Sequence, residues 1–265
     1  MLYKRVLSAL VGIPVLLAAV WYGSWAHFAL TLVIMVLALF ELNNIFFRMD
    51  LEPSFPAMTA GVLVLGVSAY RGGAEALGLV VTPVVVLLLL VGVVRYPALM
   101  PGDVLAGLGG TLYIGLFIYF YLIRTLSGGL AWILVMLVGT WAGDTAAYIV
   151  GKKMGRRKLA PKLSPGKTVE GALGGIGGSV LGSVLIYLFY RPAPLYAVVV
   201  LGVLVGLFGL LGDLFESSLK RTAGIKDTSR IIPGHGGVLD RFDSMIFTAP
   251  AVYYFIIMFT DGWGS

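Results

Sequence analysis

Gly78-Leu-Val-Val-Thr-Pro-Val-Val-Val-Leu-Leu-Leu-Leu-Val-Gly-Val-Val94 carries no charge and no alternation of apolar with polar residues. A strand with one wet face would alternate, so a continuous run of this length reads as a buried helix. About 20 mostly apolar residues cross the hydrocarbon core of a bilayer, and only helices or closed barrels satisfy their backbone there. The same pattern recurs along the chain, at about 6–23, 25–46, 55–70, 78–94, 104–123, 130–150, 172–190, 195–215 and 244–260. The expected fold is an all-α polytopic integral membrane protein with about nine transmembrane helices. The third run is the weakest, shortened by Pro53 and Pro56 and diluted by Gly61 and Gly66.

Composition agrees. Of 265 residues 59% are hydrophobic and only 12% charged, against roughly 25% charged in a soluble domain. So few polar groups cannot cover the water-facing surface of a chain this size, which speaks against a soluble protein with an oversized core. Cysteine is absent, so thiol chemistry and disulfides are excluded. The net charge of +6 would suit nucleic acid, but its distribution follows the membrane instead.

With a cytoplasmic N-terminus, that side receives Lys4, Arg5, Arg48 and Arg95. It also receives Lys152, Lys153, Arg156, Arg157, Lys158, Lys162 and Lys167 from the 151–168 loop, and Lys220, Arg221, Lys226, Arg230 and Arg241 from the 216–243 loop. These are sixteen of the nineteen basic residues, leaving Arg71, Arg124 and Arg191 for the other face. Cytoplasmic loops carry such an excess. Lys4 and Arg5 ahead of an apolar run look like a signal peptide, but no small-x-small site leads into soluble sequence, so an uncleaved first span is expected. No internal repeat is visible. Residues 1–125 read as a transmembrane scaffold, with Glu41 the main ionisable exception, and residues 126–265 as a catalytic region with its two cytoplasmic loops.

Chemistry should lie where polar groups interrupt the apolar runs. Asp144 sits inside Trp141-Ala-Gly-Asp-Thr-Ala-Ala-Tyr148. A carboxylate at membrane depth costs about 2.5–3.5 kcal/mol on insertion scales, so it should face a cavity or a cation. The plain alternative is an aspartate bonded to a neighbouring helix. In Gly212-Asp213-Leu-Phe-Glu216-Ser217-Ser-Leu-Lys220-Arg221, the residues Asp213, Ser217 and Lys220 share a helical face. Glu216 and Lys220 read as a surface i, i+4 pair worth about 0.3–0.5 kcal/mol. Lys226-Asp227 follows, then Ile232-Pro-Gly-His235-Gly-Gly-Val-Leu-Asp240-Arg241-Phe-Asp243. Its Pro and Gly residues demand a tight turn whose bare backbone can approach a ligand. Asp240, Asp243 and Ser244 then share a face at the start of the ninth span. One acid there would be ordinary complement to the helix dipole; two beside Arg, His and a glycine turn read as a site.

Carboxylates hold Mg²⁺ through oxygen, with phosphates and water completing the shell. Asp144, Asp213, Asp240 and Asp243 suit one or two such ions, and Lys167, Lys220, Arg221 and Lys226 suit phosphate oxygens. The inventory points to phosphoryl or nucleotidyl transfer. Other signals are plainer. The small residues of Gly171-Ala-Leu-Gly174-Gly-Ile-Gly-Gly178-Ser-Val-Leu-Gly182 read as a helix-packing face rather than a nucleotide loop. His27 reads as structural, and the 151–168 loop as attractive to anionic lipid heads.

Ser217-Ser-Leu-Lys-Arg221, Lys226-Asp227, Pro233-Gly-His-Gly-Gly237 and Asp240-Arg-Phe-Asp243 together resemble the phosphatidate cytidylyltransferase signature, about ten fixed residues across 27. Upstream, Asp144-Thr145, Tyr148, Gly151, Gly155, Leu159-Ala-Pro161, Ser164-Pro165, Lys167-Thr168 and Glu170-Gly171 are also similar to that family. The resemblance covers about 140–245; the N-terminal half matches only in being hydrophobic. It implies a membrane enzyme that transfers CMP from CTP to phosphatidic acid with Mg²⁺, giving CDP-diacylglycerol and pyrophosphate for phospholipid biosynthesis. It further implies metal ligands among Asp213, Asp240, Asp144 and Asp243, and a catalytic set of Asp213, Lys220, Arg221, Asp240 and Asp243. Asp144, Lys167, Ser217, Lys226, Asp227, His235, Gly236, Gly237 and Arg241 would then bind substrate. A second ion of another type is compatible with this set. The expected setting is the inner membrane with the site on its cytoplasmic side. The rivals are a CTP-dependent lipid kinase and a polytopic transporter, the latter expected to show internal repeats around a midplane site. The small-residue-rich scaffold suits a homodimer.

Overall fold

The computed structural model describes residues 2–260. The side chains of Lys4 and Arg5, which enter the charge count, and residues 261–265 of the C-terminal region lie outside the description. The elements in order are α1 (Leu2–Tyr22), α2 (Ser24–Phe47), α3 (Phe55–Val94), α4 (Pro101–Gly115), α5 (Ile118–Thr125) and α6 (Gly129–Met154). Then come β1 (Lys158–Ala160), β2 (Ser164–Thr168), α7 (Val169–Tyr190), α8 (Leu195–Thr222) and α9 (Leu239–Thr260). Among the described residues seven helical stretches are long and apolar enough to cross a membrane, and Leu7–Tyr22 is a shorter apolar one. The protein is thus an all-α polytopic integral membrane protein, with one small antiparallel hairpin, β1–β2, where the sequence shows only a basic loop.

Helix α3 is two helices joined at a kink, in keeping with the two expected runs. Its 40 residues would reach about 60 Å at about 1.5 Å each, twice the hydrocarbon core. It takes in both the 55–70 and 78–94 runs, one on each side of a break. The break lies at Gly72 and Gly73, the latter at φ 65° and ψ −153°, a backbone that only glycine adopts without steric cost. Helix α8 runs past its expected end at 215 to Thr222, and α9 starts at Leu239 rather than 244. Both ends of the polar signature are therefore helical.

Packing divides the chain into two compact units. One runs to Leu122 and takes in Leu219–Phe242; the other holds Ile123–Ser218 and resumes at Asp243. In the first, α2, α3 and α4 bury Met35, Leu39, Leu42, Met58 and Ile114 almost completely. Gly110 lets α4 close on Phe46 and Met58, whose side chains a Cβ there would strike at 2.9 Å. In the second, α6 and α7 lie backbone against backbone. Cβ atoms at Gly175, Gly178 and Gly182 would press on Ala147, Ala146 and Ala142 of α6. The expected packing face of α7 is borne out, and it faces α6.

Candidate active site

The second unit gathers carboxylates. Gly212 of α8 meets the backbone of α9 so closely that a Cβ would stand 2.5 Å from the Asp243 carbonyl oxygen. This approach sets the next residues of α8 beside the start of α9. One carboxylate oxygen each from Asp213, Glu216 and Asp243 lies within 4.8 Å of the others. Glu216 is fully buried and Asp213 and Asp243 partly so. The Asp213 carboxylate pairs with the Lys167 ammonium and accepts from Ser217 Oγ at 3.3 Å. Asp243 Oδ1 accepts from the Ser244 amide at 2.6 Å.

Such an oxygen-only set fits a hard divalent cation. Mg²⁺ binds oxygen at about 2.1 Å in an octahedron, which places neighbouring ligands about 3–4 Å apart, so small rotations bring the three carboxylates into range. The Lys167 ammonium on Asp213 shows that this carboxylate already takes positive charge.

Lys167 is presented by the hairpin. Thr168 ends β2 and caps α7, its Oγ1 accepting from the Gly171 amide at 3.1 Å. Glu170 in the first turn of α7 accepts from the Arg156 and Arg157 amides at 3.0 and 3.2 Å. Both ends of the hairpin are thus tied to one helix start. The cations before Lys167, from Lys152 to Lys162, are exposed.

The first unit holds the other constellation. Lys220, near the end of α8, donates to Asp240 Oδ1 at 2.7 Å. Asp240 Oδ2 accepts from the Thr228 amide at 2.9 Å and the Gly237 amide at 2.8 Å, with Thr228 Oγ1 also at 2.9 Å. Its carboxylate is held on every side, and it is not one of the three clustered acids. Ahead of it the chain turns tightly. The Ile232 amide donates to the Gly236 carbonyl and the His235 amide to the Ile232 carbonyl, with Gly234 and Gly236 at φ 80° and 86°. Positive φ favours glycine strongly. His235 Nδ1 lies 2.7 Å from Ser8 Oγ of α1. Arg221 bonds the Ile225 carbonyl at 3.1 Å. Lys226, Asp227 and Arg241 are exposed.

Asp144 lies exposed on α6 and stands outside the three-acid group. The surface role read for Glu216 is corrected: its burial is complete. The i, i+4 spacing to Lys220 masked it; the apolar Leu214 and Phe215 before it were the available signal. Glu41 was visible as an anomaly in the scaffold but not as part of the signature. It is fully buried and accepts from Thr228 Oγ1, Ser229 Oγ and the amides of Val238 and Leu239.

Known proteins extend this picture. Phosphatidate cytidylyltransferase of Synechocystis sp. is 53% identical over 120 residues, 44% of this chain and 40% of that protein. Phosphatidate cytidylyltransferase of Bacillus subtilis is 45% identical over 152 residues, 56% of each chain. The uncharacterized protein YnbB of Escherichia coli is 44% identical over 131 residues, 49% of this chain and 44% of that one. The chain spans about half the length of the curated relatives it matches. The sequence pattern of one family covers residues 3–259, both units together, and by that match the chain belongs to the Cytidylyltransferase family.

Proposed function

We propose that this protein transfers CMP from CTP to phosphatidic acid, forming CDP-diacylglycerol and releasing pyrophosphate. The observation that carries the reading is the group of Asp213, Glu216 and Asp243 with Lys167 paired to Asp213, in a membrane chain whose relatives bear the phosphatidate cytidylyltransferase name. Asp213, Glu216 and Asp243 would hold Mg²⁺. A bound Mg²⁺ neutralises polyphosphate charge and steadies an in-line displacement.

The chain's own groups do the rest. Lys167 moves from Asp213 onto a phosphate oxygen, a short rotation for a flexible ammonium with three donors. Within the first unit, Lys220, steered by Asp240, and the exposed Arg221 and Lys226 are cations suited to phosphate. The lipid phosphate oxygen attacks the α-phosphorus of CTP, the bond from that phosphorus to the β-phosphate oxygen breaks, and pyrophosphate departs. The second pKa of a phosphomonoester is about 6, so the nucleophile is an anion near neutral pH and needs no strong base. Positive charge is what two polyanions require. The site faces the cytoplasm in this reading, where CTP is dissolved and the lipid headgroup lies at the membrane surface.

The test is product analysis with purified protein, CTP and phosphatidic acid. CDP-diacylglycerol and pyrophosphate are expected with Mg²⁺, and neither without the lipid. CDP with a newly phosphorylated lipid would identify a kinase and refute the proposal. Asp243→Asn should lower kcat at least about 100-fold, near 2.7 kcal/mol of barrier, with the protein still folded.

A further inference from the structure

Glu41 is the fully buried carboxylate of α2, and all four groups that donate to it come from 187 to 198 residues downstream. Thr228 Oγ1 lies at 3.0 Å and the Leu239 amide at 2.7 Å from Oε2; Ser229 Oγ lies at 2.6 Å and the Val238 amide at 2.9 Å from Oε1. The four groups match the roughly four acceptor sites of a carboxylate, with the single Thr228 hydroxyl proton shared between Glu41 and Asp240. Val238 precedes α9 and Leu239 opens it, where amides lack intrahelical partners and the helix dipole favours an anion.

A helix start is ordinarily capped by a Ser, Thr, Asp or Asn of its own chain segment. A buried glutamate from a distant helix is a costly substitute, so a cap alone does not explain it. Thr228 supplies the further link. Its Oγ1 stands between Glu41 Oε2 at 3.0 Å and Asp240 Oδ2 at 2.9 Å, and Asp240 in turn holds Lys220 at 2.7 Å. Gly237 is part of the same contact, because a Cβ there would collide with Thr228 Oγ1 and both Glu41 oxygens.

We infer that Glu41 is a positioning residue for the transfer reaction. It fixes the 228–239 segment and, through Thr228, orients the Asp240 carboxylate that steers Lys220 toward phosphate. The inference rests on the cytidylyltransferase reading above.

The experiment uses full-length protein in vesicles containing phosphatidic acid. It measures kcat and KM for CTP, and the melting temperature, of the wild type, Glu41→Gln, Thr228→Val and the double variant. Misplacing a reacting group by about 1 Å can cost about 100-fold. Each single variant should lose at least about tenfold in kcat with KM for CTP within about threefold. The double variant should be little worse than the poorer single one, because both cut the same path. Folded Glu41→Gln with wild-type kcat, or losses that multiply in the double variant, would overturn the inference. If Glu41→Gln does not fold, Thr228→Val carries the test alone, and an unchanged kcat in it overturns the inference. A wild type that forms no CDP-diacylglycerol would instead sink the functional reading. Hydrogen exchange then decides the Glu41 role by itself. The Val238 and Leu239 amides should exchange at least about tenfold faster in Glu41→Gln while α6 and α7 stay unchanged, and equal exchange would overturn it.

Discussion

A methyl group added at Gly237 would sit against Thr228 Oγ1 and both oxygens of Glu41, none of which can retreat without giving up a hydrogen bond. Overpacking of this kind costs about 1–3 kcal/mol. Gly166, at the hairpin, has nothing within 4 Å of a Cβ. Gly237→Ala should therefore lower the melting temperature by several degrees and cut activity more than about tenfold, while Gly166→Ala leaves both near wild type. Thermal unfolding and turnover of the two variants side by side check this. The contrast also shows what single residues disclose. Asp213, Asp240 and Asp243 were legible because charge stands out against apolar sequence. Which of them gather was not, since Asp240 is committed to Lys220, Thr228 and Gly237 while buried Glu216 joins the other two. A partner 20 residues away is visible only in three dimensions.

At the scale of elements, α7 offers a comparison between its own two faces. A Cβ at Gly178 would meet Ala146 Cβ at 2.5 Å and the Ala142 carbonyl oxygen at 2.7 Å, whereas one at Gly177 meets nothing within 4 Å. Small residues permit such backbone contact between membrane helices. Gly178→Val should separate α6 from α7 at a cost of about 1–3 kcal/mol. Gly177→Ala should be neutral or gain up to about 1 kcal/mol from helix propensity. Melting of both variants in detergent gives the comparison; equal effects would mean that the α6 contact does not matter. This face was legible in the four-residue spacing of glycines, because helical period and small size are local properties. The hairpin was not. Its strands are short, pair Lys158 with Thr168 and Ala160 with Ser164, and are held by Glu170 binding two amides 13 and 14 residues back. No periodicity announces such a clamp.

For the whole molecule, hydropathy gave the class of fold and positive charge suggests its orientation. The run lengths made a membrane protein legible, and the gap between the 55–70 and 78–94 runs coincides with Gly72 and Gly73, where the backbone leaves helical geometry and divides α3 into two helices. The side on which each loop emerges is a separate matter, governed by where Lys and Arg fall. Lys152 and Lys153 stand in the last turn of α6, Arg156, Arg157, Lys158, Lys162 and Lys167 follow it, and Arg124 precedes it. Helix α6 is one of the seven helices long enough to cross, so its two ends should face opposite compartments. The chain contains no cysteine, which makes single-cysteine labelling unambiguous. Ser127, exposed in the turn before α6, and Gly166, exposed on the hairpin, are suitable positions. With a membrane-impermeant maleimide on intact spheroplasts, Ser127→Cys should be labelled and Gly166→Cys only after permeabilisation. A tenfold difference or so is ample, since translocating a basic loop runs against a cost of several charged residues. The reverse pattern would place Lys167 and its acidic partners where dissolved CTP does not reach, and the proposed reaction could not use them.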